Sequence, residues 1–449
     1  MKNRRLACCV AFFVFLTLPA LAARPASPDL PALPDPPALP GPPDLPDHAV
    51  SEQMPFEQAM RDLTSADPAV RLRAAQRLTQ VAYLEAAIPL AALVNDPQDD
   101  VQLEAIAAEL NIFLAEALGP RKRGSVLSEQ AFSAGTFALG ERPVPVEVLT
   151  ALRLGARDEN PRVALEALYA FGALASEPAG SPRRTLLRVS GPDIAAFVGA
   201  SEPAKRYAAV RVLGRVFARR AQDDPIEETV GDAVITALND DDRAVKAAAM
   251  HALGAMRYER GVQALTELFQ FYGNSDGADA ALDAIARIAH PISAPLLTAQ
   301  LSGKSSVRRG IAIEGLGRMG DASKLRAIQQ ALDADRSDGV TLAGVYASAL
   351  LANAPIDRLA DALTRTRLHD QAKQYLVELI PGRTAAVASH LQDPDARLRL
   401  DVVQVLGQSG DPAALPLVEP LLKDRDPQVA RAAVRAVAML KQARARPAG

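Results

Sequence analysis

The chain has 449 residues, a formal net charge of −3 at pH 7, and only 4% aromatic residues, with no tryptophan. It has two cysteines, Cys8 and Cys9. A weakly acidic chain with so few aromatic residues does not have the composition of a nucleic-acid-binding protein. Two cysteines are too few for a disulfide-rich fold or for a zinc site made of cysteines.

Residues 1–22 have the features of a secretory signal peptide. Three basic residues precede an apolar run of about 13 residues, and a small-x-small cleavage site ends at Ala22. The run is shorter than the about 20 residues that a membrane-spanning helix needs. We therefore predict cleavage after Ala22, export to a bacterial periplasm or full secretion, and no membrane span in the mature protein. Cleavage removes both cysteines, and the loss of three basic residues changes the formal charge from −3 to −6.

Residues 23–50 form a proline-rich segment with a regular spacing. Proline occupies every third position from Pro25 to Pro46, which is the period of a polyproline II helix. The same period places leucines along a second edge of such a helix and aspartates along a third. We interpret the segment as a semi-rigid linker. The alternative is a docking strip for an aromatic-lined groove, because a plain spacer does not require regularly placed leucines.

The remaining residues, 51–449, repeat one pattern, which is clearest after Asp393. Asp393 followed by proline predicts a helix start, and Gly407 and Gly410 predict its end. Asp411 followed by proline predicts a second helix. Each predicted helix has one apolar face and cannot bury it alone, so the helix pairs are expected to stack on copies of themselves.

Copies of this pattern recur along the chain with a commonest spacing of about 31 residues. The second helix of each pair is predicted to begin near residues 68, 98, 160, 203, 242, 277, 306, 337, 369, 395 and 427. We therefore predict an all-α fold, a right-handed α-solenoid of about eleven helix pairs with a long concave groove.

The pattern resembles the short HEAT-like repeats of phycobilisome lyases. The resemblance rests on an alanine-rich middle and on two motifs, D-P-x-V-R at residues 67–71 and L-G-x-x-G-D at residues 316–321. It covers most of the chain, and it implies stacked helix pairs. Proteins with such repeats serve unrelated tasks, so the resemblance does not imply one function.

Two interruptions of the repeat are predicted, near residues 119–143 and 176–192. Insertions in solenoids tend to lie on one face and often serve recognition. The first insertion is therefore a candidate protein-binding loop, and an insertion without a function is the alternative. Its candidate contact residues are Arg121, Lys122, Arg123, Phe132 and Phe137.

The densest aromatic cluster in the chain is Phe269, Phe271 and Tyr272. The other aromatic residues of the repeats are scattered, and we interpret most of them as packing residues. The cluster is therefore a second candidate patch for contact with a protein partner.

Basic residues recur near the start of the second helices. In solenoids built from similar HEAT-like repeats, such residues pair with acidic residues of adjacent repeats, and we interpret them as a structural ladder. A basic stripe that meets an acidic partner is the alternative. The predicted ladder consists of Arg71, Arg162, Lys246, Arg308, Arg397 and Arg431.

The chain has no motif typical of an enzyme or of a cofactor site. The five histidines are scattered, and none is followed by the glutamate that HEAT-like iron hydroxylases use. No calcium loop, nucleophile elbow or phosphate-binding glycine loop occurs in the sequence. We predict no catalytic residues, no cofactor and no metal site.

These observations favour a non-enzymatic scaffold or adaptor that binds protein partners outside the cytoplasm, with no nucleic-acid partner. The proline-rich segment either spaces the solenoid or docks to a partner. A binder of cell-wall or surface polysaccharide is the main alternative, although sugar sites usually contain stacked aromatic residues. A lyase-like accessory enzyme is suggested by the resemblance alone. A HEAT-like DNA glycosylase is disfavoured by the acidity, the predicted export and the absence of tryptophan.

Overall fold

The computed structural model describes residues 56–114, 126–133, 144–175, 190–218 and 226–444. Every regular element in these ranges is a helix. None of the helices in them is long and apolar enough to span a membrane. By internal contacts the chain divides into residues 1–53, which lie outside the described residues, and residues 54–449, which contain the helices described here.

The described residues contain eleven helix pairs, numbered here in chain order as pairs 1 to 11. The predicted starts of the second helices agree with the structure to within one residue. The second helices of pairs 1 to 11 are Pro68–Gln80, Asp99–Phe113, Pro161–Leu174, Pro203–Val216, Arg243–Met256, Asp276–Ile288, Ser306–Arg318, Asp338–Ala352, His369–Leu379, Ala396–Ser409 and Pro427–Arg444. The predicted all-α solenoid is thus confirmed.

The first helices are shorter, and many begin or end with a 3₁₀ turn. Pairs 1 to 3 have Phe56–Asp62, Leu84–Ala86 with Ala87–Leu93, and Val146–Gly155. Pairs 4 to 6 have residues 190–196 with Phe197–Gly199, Glu228–Thr236 with Ala237–Asn239, and Glu259–Gly261 with Val262–Tyr272. Pairs 7 to 9 have Pro291–Ser293 with Ala294–Gln300, Ala322–Lys324 with Leu325–Asp333, and Asp357–Ala362. Pairs 10 and 11 have Thr384–Gln392, and Pro412–Ala414 with Leu415–Val418 and Glu419–Lys423.

The helix signals after Asp393 are displaced by two residues from their predicted places. The side chain of Asp395 caps this second helix by accepting a hydrogen bond from the amide of Arg397 at 2.9 Å. Asp393 instead accepts from the amide of Asp395 and belongs to the preceding turn. The helix runs through Gly407 and ends at Gly410, which adopts a left-handed conformation with φ of 67°. In the sequence Asp-Pro-Asp, the first aspartate can therefore belong to the preceding turn while the second one caps the helix.

The core is one continuous layer of small and branched apolar residues between the two rows of helices. The eleventh residue after the cap of a second helix is fully buried in most pairs. It is Leu78, Phe171, Leu213, Leu253, Leu316 and Leu406 in pairs 1, 3, 4, 5, 7 and 10. Successive second helices also approach closely: a Cβ added at Gly317 would lie 2.9 Å from the Cα of Ala347. Glycine and alanine therefore set the spacing of this row of helices.

The first predicted insertion contains a short helix, Leu127–Ser133, in its described part. Glu166 of pair 3 fixes this helix, because its buried carboxylate accepts hydrogen bonds from the amides of Leu127 at 2.9 Å and Ser128 at 2.8 Å. Such a contact satisfies amides at a helix N-terminus that have no partner within the helix. The rest of both insertions, at residues 119–125, 134–143 and 176–189, lies outside the described residues. The proposed domain limits stay predictions.

Candidate functional site

An arginine and an aspartate join several neighbouring pairs at the turns between their helices. The arginine lies four residues after the cap of its second helix, and the aspartate lies two residues before the second helix cap of the next pair. We call these contacts the turn ladder, which consists of Arg71–Asp96, Arg206–Asp240, Arg309–Asp335 and Arg399–Asp424. Between pairs 2 and 3, Gln102 takes the place of the arginine and donates to Asp158 at 2.8 Å.

Arg399 shows how each contact of the turn ladder is made. Its Nε and Nη2 donate to the two carboxylate oxygens of Asp424 at 2.9 and 2.7 Å. Its Nη1 donates to the backbone oxygens of Asp393 and Pro394 at 2.7 and 3.2 Å. The Arg399 guanidinium lowers the pKa of Asp424, whose carboxylate also accepts from the amide of Asp426. One side chain thus connects the turn of its own pair to the turn of the next.

The turn ladder only partly coincides with the predicted ladder. Arg71 belongs to it. Arg308 instead pairs with Asp279 of the preceding pair. Lys246 lies four residues after its cap, Asp242, as the arginines of the turn ladder do. The partner position in the next pair is occupied by Gly273, which has no carboxylate. Arg162, Arg397 and Arg431 are exposed, and the ion pairs among the described residues do not include them.

We expect Arg399→Ala to destabilise the protein by about 2 kcal/mol, because it leaves the nearly buried Asp424 without its charged partner and the carbonyl of Asp393 without its donor. The side chains of Arg399 and Asp424 are only 4% and 9% exposed. Arg397→Ala is the matched control, since Arg397 is two residues earlier and exposed. Urea unfolding followed by circular dichroism measures both variants. Equal losses in the two variants would contradict the assignment.

The second helices of pairs 7 and 9 are joined by a nearly buried ion-pair cluster. The Arg318 guanidinium donates to both carboxylate oxygens of Glu378 at 3.0 Å and to Glu314 at 3.2 Å. The Arg318 side chain is 4% exposed, and the Glu378 side chain is 25% exposed. Burial alone would raise the pKa of Glu378, but the charge and hydrogen bonds of Arg318 outweigh it and lower the pKa to about 2. Glu378 is therefore ionised at neutral pH.

Two tyrosines complete this cluster, which we call the inner network: Glu314, Arg318, Tyr346, Tyr375 and Glu378. The Tyr346 hydroxyl donates to Glu378, and the Tyr375 hydroxyl donates to Glu314. The two rings stack with centroids 4.3 Å apart. Burial raises the pKa of both hydroxyls, so both tyrosines are neutral hydrogen-bond donors. Every charged group of the inner network thus has a partner within it.

Contacts between distant pairs show that the second helices form the inner side of a curve. Arg287 of pair 6 reaches Gln374 of pair 9 at 3.4 Å. Nη2 of Arg257, at the end of the second helix of pair 5, lies 3.8 Å from a carboxylate oxygen of Glu378. Neighbouring helices pack about 8–10 Å apart, so in a straight stack pairs 5 and 9 would be separated by more than 30 Å. Side chains therefore bridge the concave side between pairs 5 and 9. The sequence had led us to expect a groove that is open along its whole length.

His251 lies on the same side of the curve, one helical turn before Gly254. Burial lowers the pKa of His251, and the positive charge of Arg287 lowers it further. The imidazole is therefore neutral at pH 7. His251, Arg257 and Arg287 together give the inner surface of pairs 5 and 6 a set of hydrogen-bonding groups.

The structure separates the residues that were predicted to contact a partner. Phe132 is 5% exposed and lies under the guanidinium of Arg215, whose carbon is 4.6 Å from the ring centroid. Phe269 is 8% exposed and packs in the core. Phe271 is 82% exposed and meets Tyr272 edge to face. Arg121, Lys122, Arg123 and Phe137 lie outside the described residues, as does Ala22. A contact patch at Phe271 stays a prediction.

His369 begins the second helix of pair 9 between two carboxylates. Its ring nitrogens lie 2.8 Å from Asp370 and 2.9 Å from Asp401, and Lys373 also contacts Asp401 at 3.0 Å. Burial lowers the pKa of His369, but the hydrogen bonds to the two aspartates outweigh this effect and raise it overall. The His369 ring thus joins pair 9 to pair 10.

We expect this contact to make stability depend on pH. A folded-state pKa above the unfolded value of about 6.5 means that the contribution of His369 is complete below that value and is lost as pH rises through the folded-state pKa. The difference in unfolding midpoint between the natural protein and His369→Gln should therefore shrink from pH 5 to pH 8. The comparison is made by urea unfolding at each pH. A difference that grows with pH would contradict the proposed charge state.

The described residues contain no group of three or more His, Cys, Asp or Glu side chains that could hold a metal ion. A small open cavity of about 90 Å³ lies between the second helix of pair 8 and the first helix of pair 9. Its polar lining residues are Asp338, Thr341, Arg358, Asp361 and Arg365. It has room for only a few water molecules.

One part of the inner network, the pair Glu314 and Arg318, could have been recognised in the sequence, although not from the apolar periodicity alone. Glu314 and Arg318 are charged residues of opposite sign at i and i+4 in the second half of their helix, and such a pair can interact on one face. Their partner Glu378 is 60 residues away from Arg318. No local rule indicates that contact, because it depends on how strongly the stack of pairs curves.

Comparisons with known proteins agree with this architecture. The sequence model of the family described as HEAT repeats matches residues 192–270 and 384–448. No curated protein sequence matches the chain. These two matched ranges cover pairs 4 to 6 up to Gln270 and pairs 10 and 11.

Several solved structures are similar to the chain at low identity. A structure from work on the interaction between cadherin and beta-catenin has 14% identity and a TM-score of 0.41, over 86% of this chain and 94% of that chain. Computationally designed armadillo repeat proteins for modular peptide recognition have 18% identity and a TM-score of 0.36, over 52% of this chain and 99% of that chain. The complex of CpcE and CpcF of phycocyanin lyase from Nostoc sp. PCC7120 has 19% identity and a TM-score of 0.33, over 56% of this chain and 94% of that chain.

These low scores carry no information about what this chain binds. The family match and the eleven stacked pairs concern the same feature, a pair of helices that repeats along the chain. Residues 192–270 and 384–448 match the HEAT-repeat family, and the described residues form an all-α solenoid of stacked helix pairs.

Proposed function

We propose that the protein is a non-enzymatic scaffold that binds protein partners outside the cytoplasm. A solenoid of repeated helix pairs typically serves protein interaction, because its stacked repeats present an extended surface. The observation that supports the proposal most directly is the inner surface of pairs 5 and 6. There, Arg287 lies near His251, and both Arg257 and Arg287 are partly exposed on one side of the curve.

Export is the second part of the proposal. The basic start, the apolar run and the small-x-small site of residues 1–22 favour secretion with cleavage after Ala22. Residues 23–50 would then separate the solenoid from the new N-terminus or dock to a partner. N-terminal sequencing of the protein from cells tests the first point. A mature chain that begins at Ala23 is expected, and a chain that keeps residues 1–22 in the cytoplasm would overturn it.

Crosslinking and capture test the binding function. The mature protein, with and without residues 23–50, is crosslinked in the extracytoplasmic fraction of its native host, and an excess of unlabelled protein serves as competitor. We expect the same few exported proteins to be captured, to be lost with competitor, and to crosslink within residues 192–442. If only the chain with residues 23–50 captures them, the proline-rich segment is the docking strip.

The same experiment separates the alternative functions. A polysaccharide binder would retain glycan fragments and no protein partner. A lyase-like accessory enzyme would copurify with a small molecule or with a chemically modified protein. Either result, without a competed protein partner, would overturn the scaffold proposal.

A further inference from the structure

The Arg257 and Arg287 side chains keep hydrogen-bond donors that the fold does not use. Within the described residues, the Arg257 guanidinium makes no hydrogen bond; its nearest anion is Glu378, at 3.8 Å, and its side chain is 40% exposed. Arg287 donates Nε to Asp283 at 2.7 Å and Nη2 to Gln374 at a long 3.4 Å. Its side chain is 29% exposed. Arginine donors turned towards a partly dry surface are most favourable when an anion occupies them.

The neighbouring Arg318 provides the contrast. All three of its donor nitrogens are used, because they contact Glu378 twice and Glu314 once. Glu378 in turn accepts from Arg318 and from Tyr346. Glu378 thus already accepts shorter contacts from these two residues, and its ion pair with Arg257 at 3.8 Å leaves the hydrogen-bond donors of Arg257 open.

Local packing brings the two partly exposed arginines to one place. The Arg287 side chain lies across the second helix of pair 5 at Gly254, where an added Cβ would lie 3.1 Å from its Cδ. Arg257 follows Gly254 by three residues, and Glu378 and Gln374, the contacts of the two arginines, are one helical turn apart. Both guanidinium groups therefore face the same part of the second helix of pair 9. His251, one turn before Gly254, borders this part as a neutral donor or acceptor.

We propose that Arg257 and Arg287 together bind the carboxylate of an acidic, extended segment of a protein partner. The inference rests on the proposed function and specifies its partner. The open donors support it, although Glu378 and Asp283 offset part of the positive charge, since a carboxylate has the planar, bidentate geometry that guanidinium groups match. An extended segment fits because three residues span about 10 Å, which is close to the spacing of neighbouring second helices.

Peptide binding to the whole mature protein tests the proposal. The probe is a fluorescent twelve-residue Gly/Ser peptide with glutamate at every third position, and the matched probe has glutamine at those positions. Binding is measured by fluorescence anisotropy at low salt and at physiological salt. We expect the glutamate probe to bind at least about tenfold more tightly, because a hydrogen bond to a charged group contributes about that much.

Three variants locate the binding. Arg257→Gln and Arg287→Gln, together in one chain, should weaken the glutamate probe by about tenfold or more. Arg397→Gln is the matched control, since it removes an exposed arginine elsewhere, and it should leave binding unchanged. Circular dichroism and the unfolding midpoint verify that the double variant is folded. Equal binding of the two probes, or unchanged binding in a folded double variant, would overturn the proposal.

The capture experiment distinguishes a failure of this site from a failure of the proposed function. If the double variant captures the same partners as the natural protein, the scaffold function stands and the carboxylate site is wrong. If the natural protein captures no protein partner, the scaffold function itself is wrong. If inorganic phosphate at the peptide's concentration displaces the glutamate probe completely, the site binds anions in general, and the assignment to an acidic segment is overturned.

Discussion

Replacing Arg318 with alanine is expected to lower the free energy of unfolding by about 3–5 kcal/mol, because removal of one partner from a buried ion pair leaves the other charge without compensation. Two carboxylates, Glu314 and Glu378, lose their partner in this variant. Urea unfolding followed by circular dichroism and by tyrosine fluorescence measures the loss. The second probe reports on Tyr346 and Tyr375, which stack inside the same cluster.

Arg326→Ala is the control for this prediction. Arg326 is exposed in the next first helix, so its removal should change the free energy of unfolding by no more than about 0.5 kcal/mol. The pH dependence of the stability lost in Glu378→Gln gives a second check of the inner network. The pKa of Glu378 is lowered to about 2, so its ionic contribution is present above about pH 4.3 and is lost as pH falls towards 2. Equal losses for Arg318→Ala and Arg326→Ala would show that the inner network does not stabilise the fold.

Replacing Glu109 with leucine is expected to stabilise the protein by about 2 kcal/mol at pH 7, since it removes a buried polar group that has no hydrogen bond. Glu109 is 0% exposed, and within the described residues neither carboxylate oxygen has a partner. It is the eleventh residue after the cap Gln98, the position at which pairs 1, 4 and 5 have Leu78, Leu213 and Leu253. A leucine therefore fits the site that the repeat provides.

The pH dependence of this gain identifies its cause. Burial raises the pKa of Glu109 well above its ordinary range. Stability associated with this group is complete below the unfolded-state pKa of about 4.3 and is lost as pH rises through the folded-state pKa. The advantage of Glu109→Leu, and of the isosteric Glu109→Gln, should therefore be larger at pH 7 than at pH 4. Glu85→Gln at an exposed position is the control. A destabilised leucine variant would contradict this account and would indicate that Glu109 has a partner outside the described residues.

The sequence predicted the architecture well, because helix pairs are specified locally. A cap residue or a proline often lies within about fifteen residues of an apolar stripe, and the eleven starts were predicted from such local patterns. The turn ladder was predicted less well. Its arginine is recognised only when the cap is placed correctly, and the choice of Asp393 over Asp395 led to Arg397 in place of Arg399.

The inner network and the inner arginines could not be predicted in this way. Arg257 is 121 positions from Glu378, and the two meet because small residues allow the second helices to pack closely and the stack to curve. Curvature adds up from small rotations between successive pairs, and no single motif encodes it. A partner surface on the concave side therefore depends on a property of the whole stack.

The contact between pairs 5 and 9 also has a consequence for how this chain folds. In a repeat array with contacts only between neighbours, order can begin anywhere and spread one repeat at a time. Here Arg257, Arg287 and Arg318 connect to the second helix of pair 9 across intervals of 60 to 121 residues. Closing such intervals carries an entropy cost that is recovered only when all the intervening pairs are in place. Pairs 5 to 9 should therefore gain and lose order together, while the pairs on either side can fray one by one.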